Sequence, residues 1–130
     1  MRSLAALPLL LAACAAPMAV PVAAPPSATE RMAAECRLLE RAQEATAARG
    51  LRAWPDVLVG CPGHAEAENA MTLAQASEAT RRANAAQLPE AVRAQGARAE
   101  TVYRRMITRG VPVAVAESLA ATPEFAEAAR

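Results

Sequence analysis

The sequence has 130 residues, the size of one domain rather than two. Ala supplies 37 of them, more than half of the 54% hydrophobic content, while all 14 basic residues are Arg and the formal net charge is +1. This near-neutral balance excludes the electrostatic footprint of a nucleic-acid or anionic-surface binder. Trp54, Tyr103 and Phe125 are the only aromatic residues, too few for a base-stacking platform or an aromatic-lined pocket. From Ala28 onward, Leu, Ile, Val and Phe number 16 among 103 residues. That is below the roughly 20% associated with disorder, but disorder also needs high net charge. Acidic and basic residues nearly cancel here, so the expectation is a thin-cored helical domain.

At the N-terminus, Arg2 forms a minimal positive region and Leu4 to Ala13 a ten-residue apolar run. This is the layout of a secretory signal, too short to span a bilayer as a helix by itself. The run ends in Leu11-Ala12-Ala13-Cys14, which resembles the lipobox of bacterial lipoproteins. The resemblance covers only the first fourteen residues. It implies removal of residues 1–13 and acylation of Cys14, whose three acyl chains exceed the two signals that stable anchoring requires. The lipid bilayer is then one partner. Ala15 stands where inner-membrane retention in enteric bacteria uses Asp, so the implied location is the outer membrane, facing the periplasm. Residues 14–28, rich in Ala and Pro, read as a polyproline-like spacer. Two alternatives stay open. Cleavage after Ala16 or Ala24 gives a soluble periplasmic protein, and the apolar run to Pro26 is long enough to span. Against spanning stand Pro8, Pro17, Pro21, Pro25 and Pro26, since interior prolines each cost a helix about 3 kcal/mol.

The folded part, residues 29–130, opens with a pattern from Thr29-Glu30 to Arg49 that predicts a helix. Ser27 or Thr29 can cap it, and Gly50 suits the position just past its end. Met32, Cys36, Leu39 and Gln43 define its apolar stripe, with Leu38 and Ala42 beside it. Residues 50–63 hold two prolines, three glycines and the run Val57-Leu58-Val59, which predicts a loop that plugs the core. Residues 65–87 read as an Ala-rich helix with Glu66 and Glu68 early and Arg81-Arg82 late, an order that suits the helix dipole. Pro89 opens a further helix, weakened at Gly96, on which Val102, Tyr103, Met106 and Ile107 form a stripe ending at Gly110. Pro112 and Thr122-Pro123 mark two more starts. The fold class expected is all-α, a small Ala-rich bundle of four to five helices.

Lipidation of Cys14 leaves two cysteines, an even number in an oxidising compartment. Cys36 falls on the apolar stripe and Cys61 in the loop that packs on it, so a Cys36–Cys61 disulfide is expected as a staple for a thin core. The rival is a copper- or thiol-binding loop made from Cys61, His64 and Met71, loosely similar to the ligand loop of blue-copper proteins. That site needs two His on a β scaffold, whereas His64 is the only His here. A Ser-His-Asp system has only His64 and Asp56 to draw on, and nothing marks Ser77 or Ser118 as a nucleophile. Glu66 and Glu68 point to different faces of a helix, and no Gly-rich phosphate loop is present. Residues 101–121 have the outline of a helix-turn-helix, but secretion makes an αα-hairpin the better reading. With no Lys, and Arg130 as the last residue, tethering to the cell wall through a C-terminal Lys is not expected. The expectation is a non-enzymatic, cofactor-free scaffold, accessory or interaction module of the cell envelope. It has a protein partner, with neither nucleic acid nor an identified small-molecule substrate.

Overall fold

A computed structural model describes residues 24–52, 57–64 and 71–130. Among them lie six helices and no strand: α1 (Ala28–Ala48), α2 (Leu73–Ala85), α3 (Glu90–Gln95), α4 (Ala97–Thr108), α5 (Val113–Leu119) and α6 (Pro123–Ala128). The protein is all-helical, as its composition leads one to expect. There are six helices rather than four or five because Gly96, at φ 97°, divides the segment after Pro89 into α3 and α4. The signal region, Cys14 and the first part of the spacer lie outside the described residues, as do Trp54, Asp56, Glu66 and Glu68.

Local chemistry explains the helix ends. Ser27 caps α1: its Oγ accepts from the Glu30 amide at 3.2 Å, and Glu30 accepts from the Ser27 amide at 2.7 Å. This reciprocal box satisfies two amide donors at the open end of the helix. At the other end, Gly50 donates to the Ala47 carbonyl at 2.9 Å and Leu51 to Thr46 at 3.1 Å. The same 5→2 and 6→1 pair closes α4, from Gly110 to Ile107 and from Val111 to Met106, both at 3.0 Å. Such a Schellman closure needs a left-handed residue just past the helix, which glycine adopts without a Cβ penalty; Gly50 and Gly110 sit at φ 67° and 94°. Pro123 takes the first position of α6 behind a Thr122 cap.

The second helix differs from its expected extent. It does not run from Ala65 to Gln87; Met71 and Thr72 are non-helical, and α2 starts at Leu73. Thr72 and Gln75 form a second capping box, with the Gln75 amide donating to Thr72 Oγ1 at 3.2 Å and the Thr72 amide to Gln75 Oε1 at 2.9 Å. A Thr followed three residues later by Gln is a start signal that the surrounding alanines obscure.

α1 lies against α6 and α5, and α4 lies against α2, α3, α5 and α6. One continuous core cluster results, running from Ala34 to Ala128, with Tyr103, Phe125, Leu38, Leu39, Met106 and Ile107 as its largest fully buried side chains. The stripe Val102, Tyr103, Met106 and Ile107 is buried as expected. Val57 and Leu58 enter the core from the loop, as its apolar content implies. The stripe on α1 needs correction. Leu38 and Ala42, placed beside it, are fully buried, whereas Met32 is 58% exposed and Gln43 is exposed. Cys36 and Leu39 of the expected stripe are buried, and the full buried set, Ala34, Glu35, Cys36, Leu38, Leu39, Ala42 and Thr46, extends toward Leu38 and Ala42 because α6 and α5 approach that side.

Candidate functional site

Cys36, in the middle of α1, and Cys61, in the loop after it, form a disulfide with their Cα atoms 5.7 Å apart. That spacing lies within the usual range for a bridged pair. Both residues are buried, and the loop is shaped to present Cys61. The Cys61 amide donates to the Leu58 carbonyl at 3.0 Å, and the His64 amide donates to the Cys61 carbonyl at 3.1 Å. From the C-cap of α4, Arg109 Nη1 donates to the carbonyls of Val59 at 2.8 Å and Val57 at 3.3 Å. The loop is thus fixed by a covalent bond to α1 and by charged hydrogen bonds from Arg109 Nη1 at the end of α4.

This arrangement bears on the other candidate residues. Cys61 is committed to the disulfide, so it offers no thiolate to a metal or an electrophile while oxidised. His64 is exposed beyond the Pro62-Gly63 turn, and Met71 lies outside the helix that follows. Among the described residues no group of three His, Cys, Asp or Glu side chains is placed to hold a metal ion. Ser118 donates its hydroxyl to the Val115 carbonyl at 2.8 Å within its own helix, and Ser77 is exposed on α2.

Beside the disulfide runs a groove between α1 and α4, with a cavity volume of about 390 Å³. Nothing in the apolar pattern of α1 points to it. Its walls carry Arg31, Met32 and Glu35 of α1 and Arg98, Arg105 and Arg109 from α4 and its end, with Leu39 and Cys36 beneath. The signal was present: Arg98, Arg105 and Arg109 are spaced by seven and four, which puts all three on one helical face. Arg105 Nη1 meets Glu35 Oε2 at 2.6 Å, an ion pair that bridges the two walls.

In the core, the Tyr103 hydroxyl is buried without a hydrogen-bond partner among the described residues. Burial raises its pKa above the usual 10.0, and the nearby Glu117 carboxylate pushes in the same direction, opposed by Arg104.

Comparison of the chain with known protein families, curated proteins and solved structures finds no match. Its class rests on its own architecture: an all-helical protein with one disulfide joining its first helix to the following loop.

Proposed function

We propose that this is a lipid-anchored lipoprotein of the bacterial cell envelope whose helical domain serves as a non-catalytic scaffold, accessory or protein-interaction module facing the periplasm. The observation that carries the reading is the division of the three cysteines. Cys36 and Cys61 pair with each other, which leaves Cys14, at the end of the lipobox-like Leu11-Ala12-Ala13-Cys14, as the one cysteine outside that disulfide. A disulfide in the core fits an oxidising compartment, and acylation gives the remaining cysteine a role. Among the described residues no helix is long and apolar enough to cross a membrane. In this reading the attachment is the acyl chains on Cys14, with the chain up to the Ser27 cap of α1 as the spacer.

The interaction role is supported by the surface. Leu73 is 85% exposed and Met32 58%, large apolar side chains on two different helices. Ala-rich helices also admit close approach by another helix. The partner is an envelope protein that covers part of this surface.

The test is an intact mass of the protein extracted from native membranes, with and without reduction and alkylation. The expected result is a chain that begins at a triacylated Cys14 and gains two alkylatable thiols only after reduction. A product that begins after Ala16 or Ala24 without lipid overturns the anchor. Free thiols in the native sample overturn the oxidised compartment and turn attention to metal or thiol chemistry at Cys61 and His64.

A further inference from the structure

We infer that the groove between α1 and α4 is a binding site for a small single-chain amphipathic anion, a carboxylate or phosphate head on a short apolar chain. The first argument is charge. Four guanidinium groups, from Arg31, Arg98, Arg105 and Arg109, line the groove against the single carboxylate of Glu35, although the whole chain is nearly neutral. The second is how those charges are used. Arg105 is paired with Glu35 at 2.6 Å, and Arg109 is held by the carbonyls of Val57 and Val59. Arg31 and Arg98 have no ion-pair partner among the described residues. The Arg98 Nε is also buried with no hydrogen-bond acceptor among the described residues. A guanidinium that lines a groove with no carboxylate paired to it offers its remaining N–H donors to an entering anion.

The apolar half of the site fixes the rest of the ligand. Met32, 58% exposed on α1, lines the groove together with Leu39 and Cys36. A methionine thioether is adaptable and suits a flexible hydrocarbon chain. At about 390 Å³ the cavity is near the lower end of the roughly 300–1,000 Å³ typical of ligand pockets. It holds one short chain, not the paired chains of a bilayer phospholipid. Arg31 and Arg98 take the head, Met32 covers the chain, and the Arg105–Glu35 pair and Arg109 keep the walls and the loop in place.

This inference goes beyond the scaffold reading and does not depend on lipidation. The test is isothermal titration of the full chain carrying Cys14→Ser, so that no acyl chain of its own competes, with decanoate, decyl phosphate and decanol as probes. Decanoate and decyl phosphate are expected to bind one to one with Kd on the order of 0.1 mM, weakening with salt, and decanol at least tenfold more weakly. The R31Q/R98Q double variant should lose about tenfold for the two anions, while Arg93→Gln, which removes one charge outside the groove, leaves their affinity unchanged. Met32→Ala should weaken decanoate without changing its preference over decanol. Circular dichroism of each variant separates loss of binding from loss of fold. Equal affinity for decanoate and decanol, wild-type affinity in R31Q/R98Q, or no binding of either anion at millimolar concentration each overturns the assignment. So does a marked preference for phosphatidylglycerol over phosphatidylcholine vesicles that R31Q/R98Q abolishes. That outcome makes the groove a contact for bilayer headgroups instead.

Discussion

α2 and α4 are of nearly equal length, thirteen and twelve residues, and they pack against each other, yet they are attached to the molecule in different ways. α4 buries Val102, Tyr103, Met106 and Ile107 as well as Ala99. α2 buries only Ala79 and Ala83, and its one large aliphatic residue, Leu73, is 85% exposed. Fully burying a large apolar side chain contributes roughly 1.5–3 kcal/mol, and an alanine far less. Hydrophobic burial therefore holds α4 in place and does little for α2. What α2 has instead is polar attachment. Arg104 of α4 reaches its last turn, donating to the Ala83 carbonyl and, at 3.5 Å, to those of Asn84 and Ala86. Those are the orphan acceptors that any helix leaves at its C-terminus. Good helix propensity explains why both segments are helical; it does not explain why either stays on the protein.

The largest effect is expected where burial is deepest. Phe125 of α6 is fully enclosed by the core. Phe125→Ala should cost about 4 kcal/mol, the transfer term plus the cavity left behind. Leu73→Ala on α2 should stay within about 0.5 kcal/mol. Urea unfolding of both variants tests the contrast, and comparable losses would show that α2 has an apolar partner that its exposure hides.

Removing the disulfide comes next. The bridge spans a sequence separation of 25 residues, and restricting a loop of that size in the unfolded chain is worth about 3.5 kcal/mol on the chain-entropy model. For a domain this small, C36A/C61A should lower Tm on the order of 20 °C. The midpoint should fall while the urea dependence of the free energy changes little, unless the open unfolded chain exposes more surface. A loss under about 1 kcal/mol would mean that the Arg109 hydrogen bonds and the burial of Val57 and Leu58 already fix the loop.

Sequence legibility divides along the same line as the two helices. α1 is bounded by readable signals, Ser27 at its start and Gly50 past its end, and α4 by its large-residue stripe and Gly110. The disulfide followed from cysteine parity and from Cys36 and Cys61 falling on packed segments. The start of α2 is hard to read because alanine on every face leaves no apolar period, and the Thr72–Gln75 box is a faint marker among them. The groove was missed for another reason. Its arginines are periodic on α4, but only the tertiary approach of α1 brings Arg31 and Met32 opposite them. Met32 lies at the start of the expected stripe, where burial shifts toward Leu38 and Ala42 and leaves it exposed, while Cys36 and Leu39 further along stay buried.

A third effect isolates the polar attachment. Arg104→Gln removes the charged donor to the end of α2 and its 3.3 Å pairing with Glu100. Charge-assisted hydrogen bonds of this kind contribute about 1.5–3 kcal/mol, reduced here by partial exposure. The expected outcome is local. Amide hydrogen exchange in α2 should accelerate about tenfold, while the amides of Met106 and Ile107 keep their protection, because α2 opens as a separate low-stability unit. Uniform acceleration across both helices would show that the two unfold together and that the contrast between them is one of composition only.

The smallest expected effect runs against the trend, since it concerns a defect inside the better-packed helix. Tyr103 buries a hydroxyl with no partner among the described residues. Tyr103→Phe keeps the ring and removes the desolvated group, so stability at pH 7 should rise by about 1 kcal/mol. The pH dependence gives an independent reading of the same hydroxyl. Burial, with Glu117 adding to it, holds the folded pKa above the unfolded value of 10.0. Below pH 10 both states keep the proton and the residue adds no pH dependence. Above it the unfolded chain releases the proton first, so stability falls with rising pH until the folded pKa is passed. Tyr103 is the only tyrosine, so tyrosinate absorbance follows it alone. Wild type should lose stability between pH 10 and the folded midpoint, and Tyr103→Phe should not show that loss. If Tyr103→Phe is instead destabilised at pH 7, the hydroxyl has an acceptor, and α4 is held, like α2, partly by polar contacts.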